Sequence, residues 1–276
     1  MKLPEYPPKD KMLPVRLEDI LQATRQGLPA LHRRRAALEQ SLEGSRVTHP
    51  SFRAALLRPT VAVIAEVKRR SPSAGSIRED LNPGDRAALY AANGAAAISV
   101  LTDHPFFGGS MDDLRAAVGQ CSLPVLRKDF IVDEVQILEA RAAGAAAVLL
   151  IVRVLGPDRL SPLLHYATDL GLDALVEVHT EAELEVALEA DAGILGINSR
   201  DLDSFTIDVE RAWRLIGRIP SDRVAVAESG LFGQSDVVHA AEAGADAVLI
   251  GTALSAAASP ESLLRAELSA VHRRGR

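Results

Sequence analysis

The stretch VAVIAEVKRRSPSAGSI, residues 61–77, decides the fold. It begins as an apolar, β-branched run, the mark of a strand buried on both faces. It then takes on Glu66 and Lys68 before breaking at Ser71-Pro72 and Gly75. Side chains alternate along a strand, so Ile64, Glu66 and Lys68 share one face and Val63, Ala65 and Val67 the other. An acid and a base at the end of an apolar strand are costly unless they pair or are put to use. A structural Glu–Lys pair would also account for them. The functional reading wins only if other strands end in the same way.

Outward from this stretch the pattern repeats. Apolar runs recur at residues 95–101, 123–126, 145–152, 174–178, 193–197, 224–227 and 245–250, which with 61–67 makes eight expected strands. Helical spacing fills the intervals at 85–93, 111–118, 134–143, 158–170, 181–189, 209–216 and 234–243, and a last helix is expected over 260–273. Asn93-Gly94-Ala95, Ala143-Gly144-Ala145 and Ala243-Gly244-Ala245 are copies of one junction. In each, a glycine that tolerates the left-handed conformation stops a helix before an Ala-rich strand. Strands alternating with helices mean a parallel sheet, and eight such units close into a (β/α)8, or TIM, barrel. A doubly wound open sheet would want G-x-G-x-x-G after its first strand, and KRRSPSAGS lacks it. Ahead of the barrel, residues 1–14 are Pro- and Lys-rich and read as extended. Residues 15–45 carry Leu17, Ile20, Leu21, Leu28, Leu31, Leu38 and Leu42 at helical spacing, with Arg33-Arg34-Arg35 read as a solvated helix face. The expected organisation is one barrel domain over 1–276, with 1–45 as a helical extension.

Barrel active sites lie at the C-terminal strand ends. Those ends carry Glu66, Lys68 and Ser71 after the first strand, and Ser99, Thr102 and Asp103 at the second. Arg127-Lys128-Asp129-Phe130 ends the third, Arg153 the fourth, and Glu177 and His179 the fifth. Asn198-Ser199-Arg200 ends the sixth, Glu228-Ser229-Gly230 the seventh and Gly251-Thr252 the eighth. Alternation turns Glu66, Lys68, Lys128, Glu177 and Glu228 inward, placing two lysines and three carboxylates around one mouth. Ser229-Gly230 and Gly251-Thr252 offer open backbone N–H groups in the two loops where such barrels bind phosphate.

Composition bounds the rest. The chain has 276 residues, 47% of them hydrophobic and only 4% aromatic, so Ala and aliphatic side chains must build the core. A net charge of −6 argues against a general nucleic-acid or membrane-surface binder, but a local cation cluster can still hold an anionic substrate. Cys121 is the only cysteine, which excludes an intrachain disulfide and fits a reducing compartment. It precedes the third strand and reads as a small core residue, not a nucleophile. The start MKLPEYPPKDKM has no signal-like apolar core, and no apolar run is long enough to span a bilayer, so a cytoplasmic location is expected. The seven histidines are scattered without metal-ligand spacing, so no metal is expected. His179 reads as a supporting residue beside Glu177.

These residues match a known family. The sequence resembles indole-3-glycerol phosphate synthase, through IAEVKRRSPSAG at 64–75, SVLTDHPFFGGS at 99–110, LRKDFIVDE at 126–134, LVEVHTEAEL at 175–184, GINSRDL at 196–202, VAESG at 226–230 and LIGTAL at 249–254. The resemblance covers almost the whole chain, including the N-terminal segment. It implies ring closure of 1-(2-carboxyphenylamino)-1-deoxyribulose 5-phosphate, with loss of CO2 and water and no cofactor, in tryptophan biosynthesis. It implies Lys128 as general acid, Glu177 as its acid/base partner and Lys68 as the lysine engaging anionic substrate groups. Glu66 and Asn198 would position, Arg200 and Glu228 would support the charge network, and Phe130 would shape the anthranilate pocket. Ser71, Ser229, Gly230, Gly251 and Thr252 would line the phosphate and substrate site, and the extension would lie over the mouth. Val135 and Ser199 stand where the family often has Tyr and Thr. A lysine buried beside another cation is expected to have a lowered pKa. Other readings stay open: another sugar-phosphate barrel enzyme, either of the phosphoribosylanthranilate isomerase type or a Schiff-base aldolase, or a barrel that only binds phosphorylated ligands. No pathway partner is legible.

Overall fold

A computed structural model describes residues 15–43, 50–265 and 271–272 of the chain. Residues 1–14, expected to be extended, lie outside the described residues, as does the end of the extension. Eight parallel strands form a closed barrel: β1 (Ala62–Val67), β4 (Ala97–Leu101), β5 (Val125–Lys128), β6 (Ala147–Ile151), β7 (Asp173–Val178), β8 (Ile194–Asn198), β9 (Val224–Glu228) and β10 (Ala247–Ile250). Two short strands, β2 (Arg70–Ser71) and β3 (Gly75–Ser76), make an antiparallel hairpin in the loop after β1. The sequence pattern misses this hairpin because two residues carry no period. Helices alternate with the barrel strands: α4 (Pro83–Ala92), α5 (Met111–Gln120), α6 (Glu134–Ala142), α7 (Val152–Asp169, broken at Gly156), α8 (Glu181–Glu189), α9 (Val209–Ile216), α10 (Gln234–Ala243) and α11 (Thr252–Ala256). Local chemistry starts them: Asn82, Ser110, Asp133, Thr180 and Asp208 each accept a backbone N–H of the first turn. Gly94, Gly144 and Gly244 take positive φ, as the repeated junction predicts.

Each strand divides its side chains between two cores. Val63, Ala65, Val67, Val148, Leu150, Val176 and Leu195 pack outward with the helices. Ala62, Ile64, Leu126, Leu149, Leu175, Val226 and Leu249 fill the bore. The bottom is closed by α3 (Phe52–Leu56), whose Phe52 and Leu56 are fully buried in the bore cluster. The Ser51 hydroxyl caps this helix, and Arg53 N–H donates to Asp173 at the start of β7 over 2.9 Å. A five-residue helix is too short to show periodicity, so the sequence reading passes over it.

The opposite end is covered by α1 (Leu17–His32). Its Leu17, Ile20 and Leu21 are buried in the cluster that holds Phe130, with Phe106, Phe107, Val132 and Leu202 from three of the C-terminal loops packed against it. Each such side chain is worth about 1.5–3 kcal/mol of burial. Behind it, α2 (Arg35–Leu42) packs Leu38 on Val135 and Leu138 of α6. Val135 is therefore a packing position. Arg34 and Arg35 are not simply solvated: Arg34 pairs with Glu139 at 3.1 Å, and Arg35 with Glu39 at 2.9 Å and Glu134 at 3.9 Å. The last helix, expected over 260–273, lies only partly within the described residues. α12 covers only Pro260–Leu263, and His272 bridges antiparallel to Thr60 while Val61 N–H donates to Val271 O at 2.8 Å. That pairing needs extended backbone where helical spacing predicts helix.

Candidate active site

The charged residues meet at the top of the bore, as alternation requires. Lys68 Nζ lies 2.9 Å from Glu66 Oε1. Lys128 Nζ sits between Glu177 Oε2 at 3.0 Å and Glu228 Oε2 at 3.4 Å. Asn198 Nδ2 donates to the other Glu177 oxygen over 3.1 Å, while Asn198 Oδ1 accepts Arg200 N–H at 3.0 Å. Register explains the meeting: Asn198 is paired with Glu228 across β8 and β9, and Ile151 with Glu177 across β6 and β7.

Two glycines make the cluster possible. A Cβ at Gly196 would lie 2.0 Å from Glu228 Oε1, and a Cβ at Gly251 would lie 2.1 Å from Glu66 Oε1. Gly196 was missed in the sequence reading. Its signal was an isolated glycine inside a strand, which marks a close approach. Gly251, expected in the phosphate loop, also faces the Glu66–Lys68 pair, with Lys68 Nζ 3.0 Å from the position of an added Cβ.

One expectation about charge is overturned. Burial alone would lower the Lys128 pKa, but Glu177, then Glu228 and Glu66, outweigh it and raise the value. Lys128 is held as a cation by the carboxylates around it. Lys68 is not the neighbour that decides its charge. Burial pushes Glu177 up, but Lys128, then His179 and the Asn198 hydrogen bond, bring it down to about 2. Glu228 goes the other way, up to about 8: burial raises it, and the Glu177 and Glu66 charges offset much of the attraction of Lys128. Two carboxylates sharing one lysine are driven apart, Glu177 downward and Glu228 upward.

The loops add the smaller residues. Ser229 and Gly230 both take left-handed backbone, φ +66° and +71°. For Ser229 that conformation is unusual and is held by Ser199, whose hydroxyl donates to Ser229 O at 3.0 Å. A threonine at 199 would carry the same hydroxyl, so this departure leaves the loop intact. Gly251 opens α11, with Thr252 as its first residue. Ser71 Oγ accepts Ala74 N–H at 3.2 Å and so braces the β2–β3 turn. Phe130 is buried beside Phe107, ring centroids 6.1 Å apart, under α1. The Arg200 guanidinium donates to Phe205 O at 3.1 Å within its own loop. Arg153, after β6, pairs with Asp201 at 3.1 Å and also with Asp203. Cys121 is half-buried at the end of α5, away from the mouth, and burial raises its pKa.

A second polar cluster behind β5 was not foreseen. Arg127 points away from the bore and pairs with Asp129 at 3.0 Å and Glu139 at 3.2 Å, and donates to Gln136 O at 2.7 Å. Thr102 Oγ1 donates to Asp129 over 2.5 Å. These residues flank Lys128 and fix the strand end that presents it. Sequence places Thr102, Arg127 and Asp129 at strand ends but does not show that they meet, because alternation assigns Arg127 to the helix side, where a charge needs partners that only the fold supplies.

Charge of both signs gathered at one end of an otherwise apolar bore makes this a barrel enzyme with its chemistry at the C-terminal mouth. Comparison with known proteins narrows that class. The family model for indole-3-glycerol phosphate synthase matches residues 17–266, and the chain belongs to that family. It is 52% identical to indole-3-glycerol phosphate synthase 2 of Streptomyces coelicolor over 214 residues, covering 78% of this chain and 83% of the relative. It is 49% identical to the indole-3-glycerol phosphate synthase of a Nocardioides species over 243 residues, covering 88% and 92%. Among solved structures, a thiamine phosphate pyrophosphorylase from Pyrococcus furiosus superposes with a TM-score of 0.56 at 16% identity, over 78% of this chain and 95% of that one, a likeness of fold. Among the described residues no helix is long and apolar enough to cross a membrane.

The glycine at 196 yields a direct test of the cluster. Gly196→Ala forces a methyl group into the Glu228 carboxylate at 2.0 Å, so Glu228 or its strand must shift. Turnover is expected to fall by about 10²-fold, since misplacing catalytic groups by about 1 Å costs that much. Steady-state kinetics on the folded variant check this; a rate within threefold of the parent would show that Glu228 has room to move harmlessly.

Proposed function

We propose that the mouth closes the indole ring of 1-(2-carboxyphenylamino)-1-deoxyribulose 5-phosphate, with release of CO2 and water. The observation that carries the residue assignment is Lys128, held charged between Glu177 and Glu228 at the top of the bore. As the aryl carbon attacks the ketone, negative charge grows on the ketone oxygen. A fixed ammonium in a dry site stabilises that charge without reorganising. A raised pKa does not prevent proton delivery, because the forming alkoxide is far more basic than any amine. Loss of CO2 restores aromaticity. Dehydration then needs a base for a proton of the new ring, the role of ionised Glu177, and an acid for the leaving hydroxyl, again Lys128 once it has regained from solvent the proton it gave the ketone oxygen.

Lys68, steadied by Glu66, engages the anionic groups of the substrate. Asn198 fixes the Glu177 carboxylate, and Glu228 shares the charge of Lys128. Ser229, Gly230, Gly251 and Thr252 hold the phosphate, with Ser71 and Arg200 closing the loops around it. Phe130 packs on the anthranilate ring, and the Ser71–Ser76 loop folds in beneath α1 when substrate is bound.

The charge state of Lys128 weighs against the Schiff-base aldolase reading, which needs a neutral amine as nucleophile. Borohydride reduction in the presence of a ketose phosphate tests it: no covalent adduct at Lys68 or Lys128 is expected, and a stable one at either lysine would favour the aldolase.

The cover over the mouth is testable by truncation before Pro50, which keeps the α3 plug. Deleting residues 1–49 is expected to leave a folded barrel by far-UV circular dichroism, raise KM several-fold and lower kcat, because α1 no longer excludes water. Full activity in the truncated protein would make α1 a surface addition.

A further inference from the structure

His179 follows Glu177 by two residues and is 1% exposed. Its ring is fixed from one side only. Nδ1 lies 3.2 Å from Glu183 Oε2, and the same oxygen accepts the His179 backbone N–H at 2.6 Å. An ionised carboxylate only accepts, so Nδ1 carries the hydrogen. Nε2 is then turned inward, 3.5 Å from Glu177 Oε1, and this fully buried atom has no hydrogen-bond partner. A buried polar atom without a partner costs free energy, so its placement calls for a reason. At 3.5 Å the contact is electrostatic, and catalytic contacts of this kind often tighten only when substrate is bound.

An ordinary helix cap explains part of this arrangement. Glu183 is the third residue of α8 and receives the N–H preceding the Thr180 cap, while Thr180 Oγ1 accepts Glu183 N–H at 3.2 Å. The cap does not explain the aim of the imidazole, which the backbone bond alone would leave free. A carboxylate that orients an imidazole toward a reacting group is shared with the catalytic triad, but where a triad's Nε2 accepts from a hydroxyl, here Nε2 has to donate, because the group it faces is a carboxylate.

We propose that His179, oriented by Glu183 and carrying a hydrogen on Nε2 as well as on Nδ1, is a positioning residue for Glu177: Nε2–H faces the carboxylate and holds it in place until it takes the ring proton. It works beside Asn198, which holds the same Glu177 oxygen, and opposite Lys128, which holds the other. The inference rests on the ring-closing role proposed for Glu177. Its expected signature is a loss in kcat without a loss in binding.

The test is a double-mutant cycle on the full chain with the carboxyphenylamino deoxyribulose phosphate as substrate. His179→Asn is expected to lower kcat about tenfold, the low end of acid–base effects, with KM within about twofold. In a Glu177→Gln background the same change is expected to cost less than about twofold, because a residue acting through Glu177 has nothing left to act on. An equal factor in both backgrounds, or a raised KM at unchanged kcat, would overturn the proposal. Should His179→Asn fail to fold, Glu183→Gln carries the test. It keeps an acceptor for the cap, loses the charge that orients the ring, and is expected to lower kcat about threefold in the parent and not in the Glu177→Gln background. Turnover by the parent separates the two levels: a parent that forms no indole product removes the ring-closure reading, while an active parent with additive variants removes this inference alone.

Discussion

Lys128→Met is expected to abolish turnover while substrate still binds. Methionine keeps most of the unbranched stem and removes the ammonium from between Glu177 and Glu228. General acid–base catalysis is worth about 10²–10⁴ in rate. The loss of about 3–5 kcal/mol of transition-state stabilisation should therefore appear almost wholly in kcat. Breaking one side of a buried ion pair also destabilises, by about 3–5 kcal/mol where the remaining charge cannot neutralise. Here it can, because burial pushes the Glu177 pKa up and Lys128 is the chief group that brings it down, so without the ammonium Glu177 can take up a proton. Circular dichroism should show a folded protein with a lowered Tm, and equilibrium binding of substrate should stay within a few-fold. A kcat within a few-fold of the parent would remove Lys128 from the chemistry.

Glu177→Gln is expected to have a comparable effect for a different reason. Glutamine preserves shape and can still accept from Lys128 or Asn198, but it exchanges no proton. A fall in kcat of at least about 10² is expected, with KM little changed. The variant also carries a sign that can be worked out. Glu228 is raised to about 8 first by burial and in part by the Glu177 charge. Removing that charge leaves Glu228 alone with Lys128, so its titration should move to lower pH, and any limb it contributes to the rate profile should move with it. A pH–rate profile compared with that of the parent reads both effects. Near-normal kcat with an unchanged profile would make Glu177 a rim residue of the barrel.

How far the sequence carries this account depends on what each feature needs from the rest of the fold. The strand at Ala62–Val67 and its seven successors declare themselves because a two-sided buried strand must be apolar over its whole length. Glu66, Lys68, Lys128, Glu177 and Glu228 are legible for the complementary reason: period two fixes which of them face the bore, and their meeting follows once the sheet closes. Features built by close approach or by very short elements are not legible in this way. Gly196 gives way to Glu228 from a neighbouring strand, a relation no local window contains. The plug Phe52–Leu56 and the Ser71 hairpin are shorter than the periods that would betray them. The raised pKa of Lys128 is not legible locally, because it depends on three carboxylates that other strands bring around it. His272, within the stretch of helical spacing, is instead bridged to Thr60, more than two hundred positions away, a partner no local window contains.

The central claim is that this mouth joins carbon to carbon and expels carbon dioxide. The most direct measurement incubates the purified chain with 1-(2-carboxyphenylamino)-1-deoxyribulose 5-phosphate and follows indole fluorescence and released CO2 together. Formation of indole-3-glycerol phosphate with one CO2 per indole, in the absence of added cofactor, is the expected result. Consumption of the substrate without CO2, or binding without conversion, would contradict it.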